Sequence, residues 1–195
     1  MSTNSVEIYA FAEDVSKPPF TSLIPPTRAN YGRYRVVISD GTPRHALTSA
    51  IKHAKKTDEK IGKLHLISHG APGLLFLSGG KHAQLALDAD ACSWFGALRA
   101  HFDTIFPEIF IHGCNVASDI TYNPGTGIGN YDMSQSGIGY RFLLAMAQAT
   151  NTIVTGCIHR QFNDTFHLLE GPRITVGPKG AVSGAEYLNA PYPTG

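Results

Sequence analysis

Two short segments decide the fold of this chain: Leu64–Gly70, which reads LHLISHG, and Ile109–Asn115, which reads IFIHGCN. Each is an apolar run that stops at a polar residue beside a glycine. Apolar runs of this length, bounded by turn signals, are typical of buried strands in a parallel sheet. Such sheets place their reactive groups just beyond the carboxyl ends of the strands. We therefore expect His69 and Cys114 to follow neighbouring strands and to face one crevice.

Strand-like and helix-like patterns alternate around these two segments. The predicted core strands are Arg35–Ser39, Leu64–Ser68, Glu108–His112 and Thr152–Thr155, and the predicted helices begin near Thr42, near Asp88 or Asp90, and near Ser134 or Ser136. The predicted β-hairpins pair Leu74–Leu77 with Gln84–Leu87 and Phe162–Leu169 with Arg173–Val176. This alternation predicts an α/β sandwich with a mostly parallel central sheet. A length of 195 residues fits one domain.

Apolar residues at helical spacing define the faces by which the last two helices are expected to pack on the sheet. They are Ala91, Trp94, Phe95, Leu98 and Phe102 in one helix, and Ile138, Phe142, Ala145, Met146 and Ala149 in the other. Cys92 lies off the first of these faces, and we expect it to be an ordinary small residue.

Both ends of the chain lack this periodicity. Residues 1–32 contain two proline pairs and predict an extended N-terminal arm, in which Val6–Phe11 would add an edge strand. Residues 177–195 are rich in Gly, Ala and Pro and predict a surface tail.

Composition excludes several classes of function. The formal net charge is +1, which gives no electrostatic footprint for nucleic acid or an acidic membrane. Residues 1–15 contain three acidic residues and no apolar core, so they do not resemble a signal peptide. The three scattered cysteines do not form a disulfide framework. We therefore expect a cytoplasmic protein, with export that uses no cleaved signal as the alternative.

A thiol and an imidazole at one edge of a sheet are a candidate nucleophile and base. The imidazole of His69 would take the proton of Cys114 and later give it to the leaving amine. The attacked carbonyl needs donors for its developing negative charge. Gly70 has no Cβ, so its N–H group can approach a substrate closely, and the N–H group of Cys114 is the natural second donor. One short constellation thus supplies nucleophile, base and oxyanion hole.

Metal binding is the alternative chemistry for these side chains. On a strand, positions 65 and 69 share one face, and His112 and Cys114 would complete a metal cluster. The helical zinc-protease motif needs Glu after its first His, where this chain has Leu66. A zinc ion would also compete with the dyad for both of its members, so we predict no metal. Cys157 is expected to have a packing role.

At these residues the chain resembles the caspase-like cysteine peptidases of clan CD, most closely the bacterial domains of the DUF4347 and CHAT type. Their pattern is a strand ending in Ser-His-Gly, a Gly-rich hairpin, Gly-Cys-Asn-x-Ala, Gly-x-x-Phe and a further strand. The matching segments here are Ile67–Gly70, Gly73–Leu87, Gly113–Ala117, Gly139–Phe142 and Thr152–Thr155. The resemblance covers about residues 33–176 and implies a caspase-like three-layer sandwich, flanked by helices, over that range.

The resemblance also implies an activity. His69 would be the general base and Cys114 the nucleophile of a cysteine endopeptidase that cleaves after a selected P1 residue, without a cofactor. Its partner would be a protein or peptide substrate, with no nucleic acid, no membrane and no predicted oligomeric state. Caspases carry Gln-Ala-Cys before a glycine, whereas this chain has His112-Gly113-Cys114-Asn115, so aspartate specificity is not implied.

In the same families the P1 pocket lies near the end of the first strand and after the nucleophile. Asp40, Asp119 and Asp132 are the acidic residues there, and they would favour Arg or Lys at P1. Asp40 also fits simple turn chemistry, because a glycine follows it.

Two other functions fit the same residues. One is a binding or regulatory module on a caspase-like fold that does not use catalysis. The other is a self-processing domain that cuts its own chain. Asp119–Gly137 is longer than an ordinary connection and would serve as a lid, an inhibitor or a processing site.

Overall fold

The computed structural model describes residues 5–12, 34–39, 43–57, 59–76, 87–105, 107–118, 137–158 and 173–183. The strands are β1 (Ser5–Ala12), β2 (Tyr34–Ser39), β3 (Lys60–Ile67), β4 (His69–Ala71), β5 (Leu74–Phe76), β6 (Glu108–His112), β7 (Ile153–Cys157), β8 (Arg173–Val176) and β9 (Val182–Ser183). The helices are α1 (Pro43–Thr57), a 3-10 helix (Ala91–His101) and α2 (Ile138–Thr150).

One sheet of seven strands forms the centre of the described structure, in the order β2-β1-β3-β6-β7-β8-β9. Five of these strands run parallel to one another, namely β2, β1, β3, β6 and β7. Strands β8 and β9 are added in antiparallel pairs. The predicted α/β class with a mostly parallel sheet is therefore confirmed. All four predicted core strands are present, at nearly the predicted positions.

Strand β1 lies inside the sheet, so the prediction of an edge strand at Val6–Phe11 is wrong. Its backbone pairs with β2 on one side and with β3 on the other. Val6, Ile8 and Ala10 are buried on one of its faces. The edge position belongs to β2. Because β9 also joins the sheet, the folded structure extends beyond residues 33–176 at both ends.

The three helices of the described residues form one layer on one face of the sheet, so these residues do not include the second helical layer of the predicted three-layer sandwich. The 3-10 helix contacts both α1 and α2, and α1 and α2 contact strands at opposite ends of the sheet. Right-handed crossovers that advance in one direction along a parallel sheet place their helices on the same face. The core between the layers includes Ile8, Leu64, Leu66, Ile109, Ile111 and Val154 from the sheet, and Leu47, Phe95, Leu98, Phe142 and Met146 from the helices.

The predicted buried faces of the last two helices are partly wrong. In the 3-10 helix, Cys92, Phe95 and Leu98 are buried and Trp94 is 41% exposed. A helix with three residues per turn aligns positions 92, 95 and 98, whereas the prediction assumed a period of 3.6. In α2, the contact face is shifted by one residue: Ile138 is 43% exposed and Gly139 packs on the backbone of Ala117.

A β-hairpin follows β3, as predicted, but it begins earlier. Strands β4 and β5 pair directly, with His69 opposite Phe76. Leu75 also exchanges two backbone hydrogen bonds with Leu87, of 2.9 and 2.8 Å, in the predicted antiparallel sense. The rest of this predicted pairing, and residues 162–169 of the second hairpin, lie outside the described residues. No helix in the described part of the chain is long and apolar enough to cross a membrane.

Candidate active site at the carboxyl edge of the sheet

The two segments that follow β3 and β6 leave the sheet at the same level. The strands are parallel neighbours, and Ile67 is opposite His112 at the end of their register. One further hydrogen bond continues the ladder, from the N–H group of Ser68 to the carbonyl oxygen of His112 at 3.1 Å. His69 and Cys114 therefore belong to adjacent backbone segments at the carboxyl edge, as expected from the sequence.

Two glycines let these segments touch. A Cβ atom added to Gly70 would lie 2.9 Å from the carbonyl oxygen of Cys114 and 2.6 Å from Cγ1 of Val116. A Cβ atom added to Gly113 would lie 3.2 Å from Cα of Gly70. A real Cβ atom essentially never lies under 3.0 Å from backbone, so position 70 requires glycine, and a Cβ atom at Gly113 would have to displace the side-chain ends of Leu75 and Val116, at 2.7 and 2.8 Å. Cys114 directly follows one glycine of this contact, and the other glycine directly follows His69.

The turn after β6 is fixed by hydrogen bonds to two other elements. The N–H group of Gly73, in the β4–β5 hairpin, donates to the carbonyl oxygen of Val116 at 3.1 Å. The N–H group of Ala117 donates to the carbonyl oxygen of Cys157, in β7, at 2.9 Å. Asn115 takes a left-handed conformation, with φ of 58°, which closes the turn. Cys114 is therefore carried by a short turn that is attached to the hairpin and to the sheet.

The three cysteines differ in their access to solvent. Cys92 and Cys157 are fully buried, whereas Cys114 is partly exposed and His69 is exposed. Burial, reinforced by the negative charges of Asp88 and Asp90, raises the pKa of the Cys92 thiol. Reactive thiols need access to solvent and a path to the thiolate. Of the three, only Cys114 is placed to react with a dissolved substrate.

The predicted oxyanion donors belong to the same glycine contact. Gly70 and Cys114 lie on the two backbone segments that meet there. The predicted acidic pocket residues, Asp40, Asp119 and Asp132, lie outside the described residues.

The alternative metal cluster is not formed. Among the described residues, which include all four proposed ligands, no group of three or more His, Cys, Asp or Glu side chains is arranged to hold a metal ion. Two of those ligands, His65 and His112, form a hydrogen bond with each other on the sheet.

No protein-family model matches the sequence, and no curated protein matches it. An accessible thiol and an exposed imidazole follow adjacent parallel strands here, on segments held in contact by two glycines. This arrangement can support attack on an acyl group, provided that the imidazole takes the proton of the thiol.

A second set of polar residues lies on the sheet face opposite the helices, and it joins His65 and His112, the candidate metal ligands, to Glu7 and Tyr9, which the sequence had not marked. The Nε2 atom of His65 is 2.7 Å from Oε1 of Glu7, and its Nδ1 atom is 2.9 Å from Nε2 of His112. The hydroxyl of Tyr9 also donates to Oε1 of Glu7, at 2.9 Å. The ring of His65 is stacked between Tyr9 and Phe110, at centroid distances of 4.3 and 4.9 Å. These residues form a continuous row of rings and hydrogen bonds across three strands.

Burial and pairing shift the pKa values of this row. Burial lowers the pKa of His65, and the hydrogen bond and negative charge of Glu7 offset only part of that shift. Burial alone would raise the pKa of Glu7, but its hydrogen bonds and the charges of His65 and Lys63 outweigh burial and lower it. At neutral pH we therefore describe Glu7 as a carboxylate and His65 as a neutral ring. The sequence does contain polar residues at alternate positions of β1 and β3, which indicates a polar face on each strand. It does not show that Glu7 and His65 pair, because they are 58 positions apart.

Proposed function

We propose that this protein is a cysteine endopeptidase on a caspase-like α/β fold, with Cys114 as the nucleophile and His69 as the general base. The observation that supports it best is the contact between Gly70 and Gly113, because it brings the histidine and cysteine segments together at one edge of the sheet. The solvent access of Cys114, compared with the buried Cys92 and Cys157, supports the same assignment.

The caspase-like arrangement is supported by the order of elements around the dyad. A histidine and a glycine follow β3, a hairpin is inserted after them, and a glycine and a cysteine follow the adjacent parallel strand β6. The helix α2 then leads to the strand β7, which continues the sheet beside β6. This is the order that the resemblance implies.

The reaction has two steps. The thiol of Cys114 gives its proton to His69 and the sulfur attacks the substrate carbonyl, while N–H groups at Gly70 and Cys114 bind the developing oxyanion. The C–N bond breaks as His69 returns the proton to the leaving amine, which leaves a thioester. Water then hydrolyses the thioester, again with His69 as the base, and restores the thiol. We propose a basic P1 residue, recognised by one or more of Asp40, Asp119 and Asp132.

Covalent labelling tests this function directly. Purified protein is treated with a panel of peptidyl acyloxymethyl ketones, with and without calcium, and its intact mass is measured beside the variants Cys114→Ala, His69→Ala and Cys92→Ala. We expect one adduct, which is lost in Cys114→Ala, slowed in His69→Ala and unchanged in Cys92→Ala. The probe that reacts fastest would identify P1, and a preference for acidic or apolar P1 residues would remove the basic pocket.

The other two functions predict different results in the same samples. If Cys114 is unlabelled by every probe in folded protein, the binding or regulatory module replaces the peptidase. If the purified chain is cut within residues 119–137, and the cut is lost in Cys114→Ala, the domain processes itself.

A further inference from the structure

The hydrogen bonds of Glu7, His65 and His112 fix where the protons lie. A carboxylate can only accept, so Nε2 of His65 must donate to Oε1 of Glu7. The Nδ1 atom of a neutral His65 then has no proton and accepts, so Nε2 of His112 is the donor in the 2.9 Å contact. The carboxylate of Glu7 thus sets the tautomer of both imidazoles.

His112 is attached to β3 twice. Its carbonyl oxygen accepts the N–H group of Ser68, and its ring bonds to His65. The first bond is one residue before His69, and His112 itself is two residues before Cys114. The position of the cysteine segment relative to the histidine segment is therefore set at His112.

We propose that Glu7, His65 and His112 are positioning residues for Cys114: the carboxylate sets the proton arrangement of the two rings, and their hydrogen bonds hold the end of β6 that leads to the thiol. The inference rests on the proposed role of Cys114. It adds to that role a carboxylate–imidazole–imidazole chain on the sheet face opposite the helices. A carboxylate that fixes the tautomer of an imidazole is a general device for orienting a reactive group.

Protonation changes this network in one step. A single added proton converts one ring of the His65–His112 pair to an imidazolium. This places a positive charge close to the Cys114 segment. Glu7, from β1, favours that charge, and Glu108, from β6, favours it more weakly, while Lys63 opposes it from β3. Lys63 is held over the ring of Phe110, with Nζ 5.8 Å from the centroid. The reactivity of Cys114 should therefore follow the titration of the pair.

Two measurements on the whole chain test the network. The first uses ¹⁵N-labelled histidine and NMR to identify the tautomers of His65 and His112 and to follow their titration. The second measures the rate at which iodoacetamide alkylates Cys114 as a function of pH, by peptide mapping. Both are made on the wild type and on Glu7→Gln, which retains an acceptor oxygen and removes the charge, and on Glu108→Gln as the matched control.

We expect Nε2–H tautomers on both rings at high pH. In Glu7→Gln the titration midpoint of the pair should fall by about one pH unit or more, because a paired opposite charge is lost. An inflection in the Cys114 profile should move with it. Glu108→Gln should shift both by less than half as much. A purely structural network would change stability and the titration of the ring pair without a linked inflection in the Cys114 profile.

Several results would overturn the proposal: Nδ1–H tautomers, an unshifted midpoint in Glu7→Gln, or a Cys114 profile with no linked inflection. If Glu7→Gln does not fold, Tyr9→Phe replaces it. That variant keeps the stacked ring and removes a donor to Oε1, so the midpoint should rise. The variant His69→Ala separates the two proposals. If its Cys114 profile is the same as that of the wild type, the dyad is contradicted. If its profile lacks only the inflection that moves in Glu7→Gln, that inflection belongs to His69 and the network is contradicted.

Discussion

The Nδ1 atom of His65 lies 2.9 Å from the Nε2 atom of His112, in a part of the sheet where these residues are 1% and 6% exposed. A buried pair of imidazoles is costly unless its hydrogen bonds are satisfied, and here one ring continues to the carboxylate of Glu7. Through Glu7, this relationship connects β1 to β6, the strand that leads to the turn with Cys114. It makes the pH dependence of the fold and the reactivity of the site testable together.

The first prediction concerns the pH dependence of stability. The folded-state pKa of His65 is below its ordinary value of 6.5, so the unfolded chain binds more protons than the folded chain as pH falls below 6.5. The free energy of unfolding should therefore fall as pH drops through this range. The lowered pKa of Glu7 acts in the same direction below its ordinary value of 4.5. Thermal melts between pH 8 and pH 4 measure both effects.

The variant His65→Gln tests the assignment of the first range. Glutamine does not titrate, and its amide can still donate to Glu7 and accept from His112. The loss of stability that begins near pH 6.5 should be smaller in this variant. His101 also has a lowered pKa, from burial and from Lys55 and Lys60, but it is more exposed, so His101→Gln should change the curve less. Equal curves for His65→Gln and wild type would contradict the assignment.

The second prediction concerns the general base. Replacement of His69 by alanine should lower the rate of Cys114 acylation by a peptidyl ketone about 100-fold or more, because general-base assistance is lost. The His69→Ala chain should melt normally, since this side chain is exposed. Second-order inactivation rates over pH 5–9 provide the measurement. A rate within twofold of wild type would remove His69 from the mechanism.

The third prediction uses the glycine contact. In Gly70→Ala the new methyl group would meet Cγ1 of Val116 at 2.6 Å and the Cys114 carbonyl at 2.9 Å. Overpacking of this kind costs about 1–3 kcal/mol, and here it should also displace the Cys114 turn and slow its labelling. Gly96→Ala is the control, because the nearest atom to its new methyl group is 3.4 Å away. Urea melts of both variants measure the difference, and equal losses would contradict the steric argument.

The fourth prediction concerns the turn that holds Cys114. Asn115 has φ of 58°, a left-handed conformation that other side chains resist. Asn115→Ala should destabilise the protein by about 1–2 kcal/mol, and Asn115→Gly should be close to wild type. Urea melts measure these differences. The result would be contradicted if alanine and glycine had the same effect.

The fifth prediction distinguishes the cysteines. At pH 7.5 iodoacetamide should alkylate Cys114 in the folded protein and leave Cys92 intact, because Cys92 is buried and its thiol pKa is raised. Cys157 is equally buried and should also be protected. Peptide mapping before and after denaturation in urea checks this, with all three residues labelled in urea. Fast labelling of Cys92 in the folded state would show that the 3-10 helix opens.

Local pattern was enough to predict the elements that form the edge of the proposed site. Short, mostly apolar runs predicted β3 and β6, because interior strands of a parallel sheet are covered on both faces. The glycine after each run was predicted as a turn signal, and Gly70 as a point of close approach to substrate; the structure adds that Gly70 and Gly113 let the two backbone segments meet. The class of fold followed from the alternation of such runs with helical spacing.

Tertiary structure alone decided the features that depend on which strands are neighbours. The alternation of Glu7 with apolar residues is equally compatible with an edge strand, and only pairing on both sides made β1 an interior strand. The period of the helix that carries Cys92 and Trp94 was set by packing against its neighbours, not by spacing in the sequence. The hydrogen bond from His65 to Glu7 needed the register of β1 against β3, which no short stretch of sequence contains. Sequence periodicity reports burial within an element, whereas register and neighbours are set by the free energy of the whole fold.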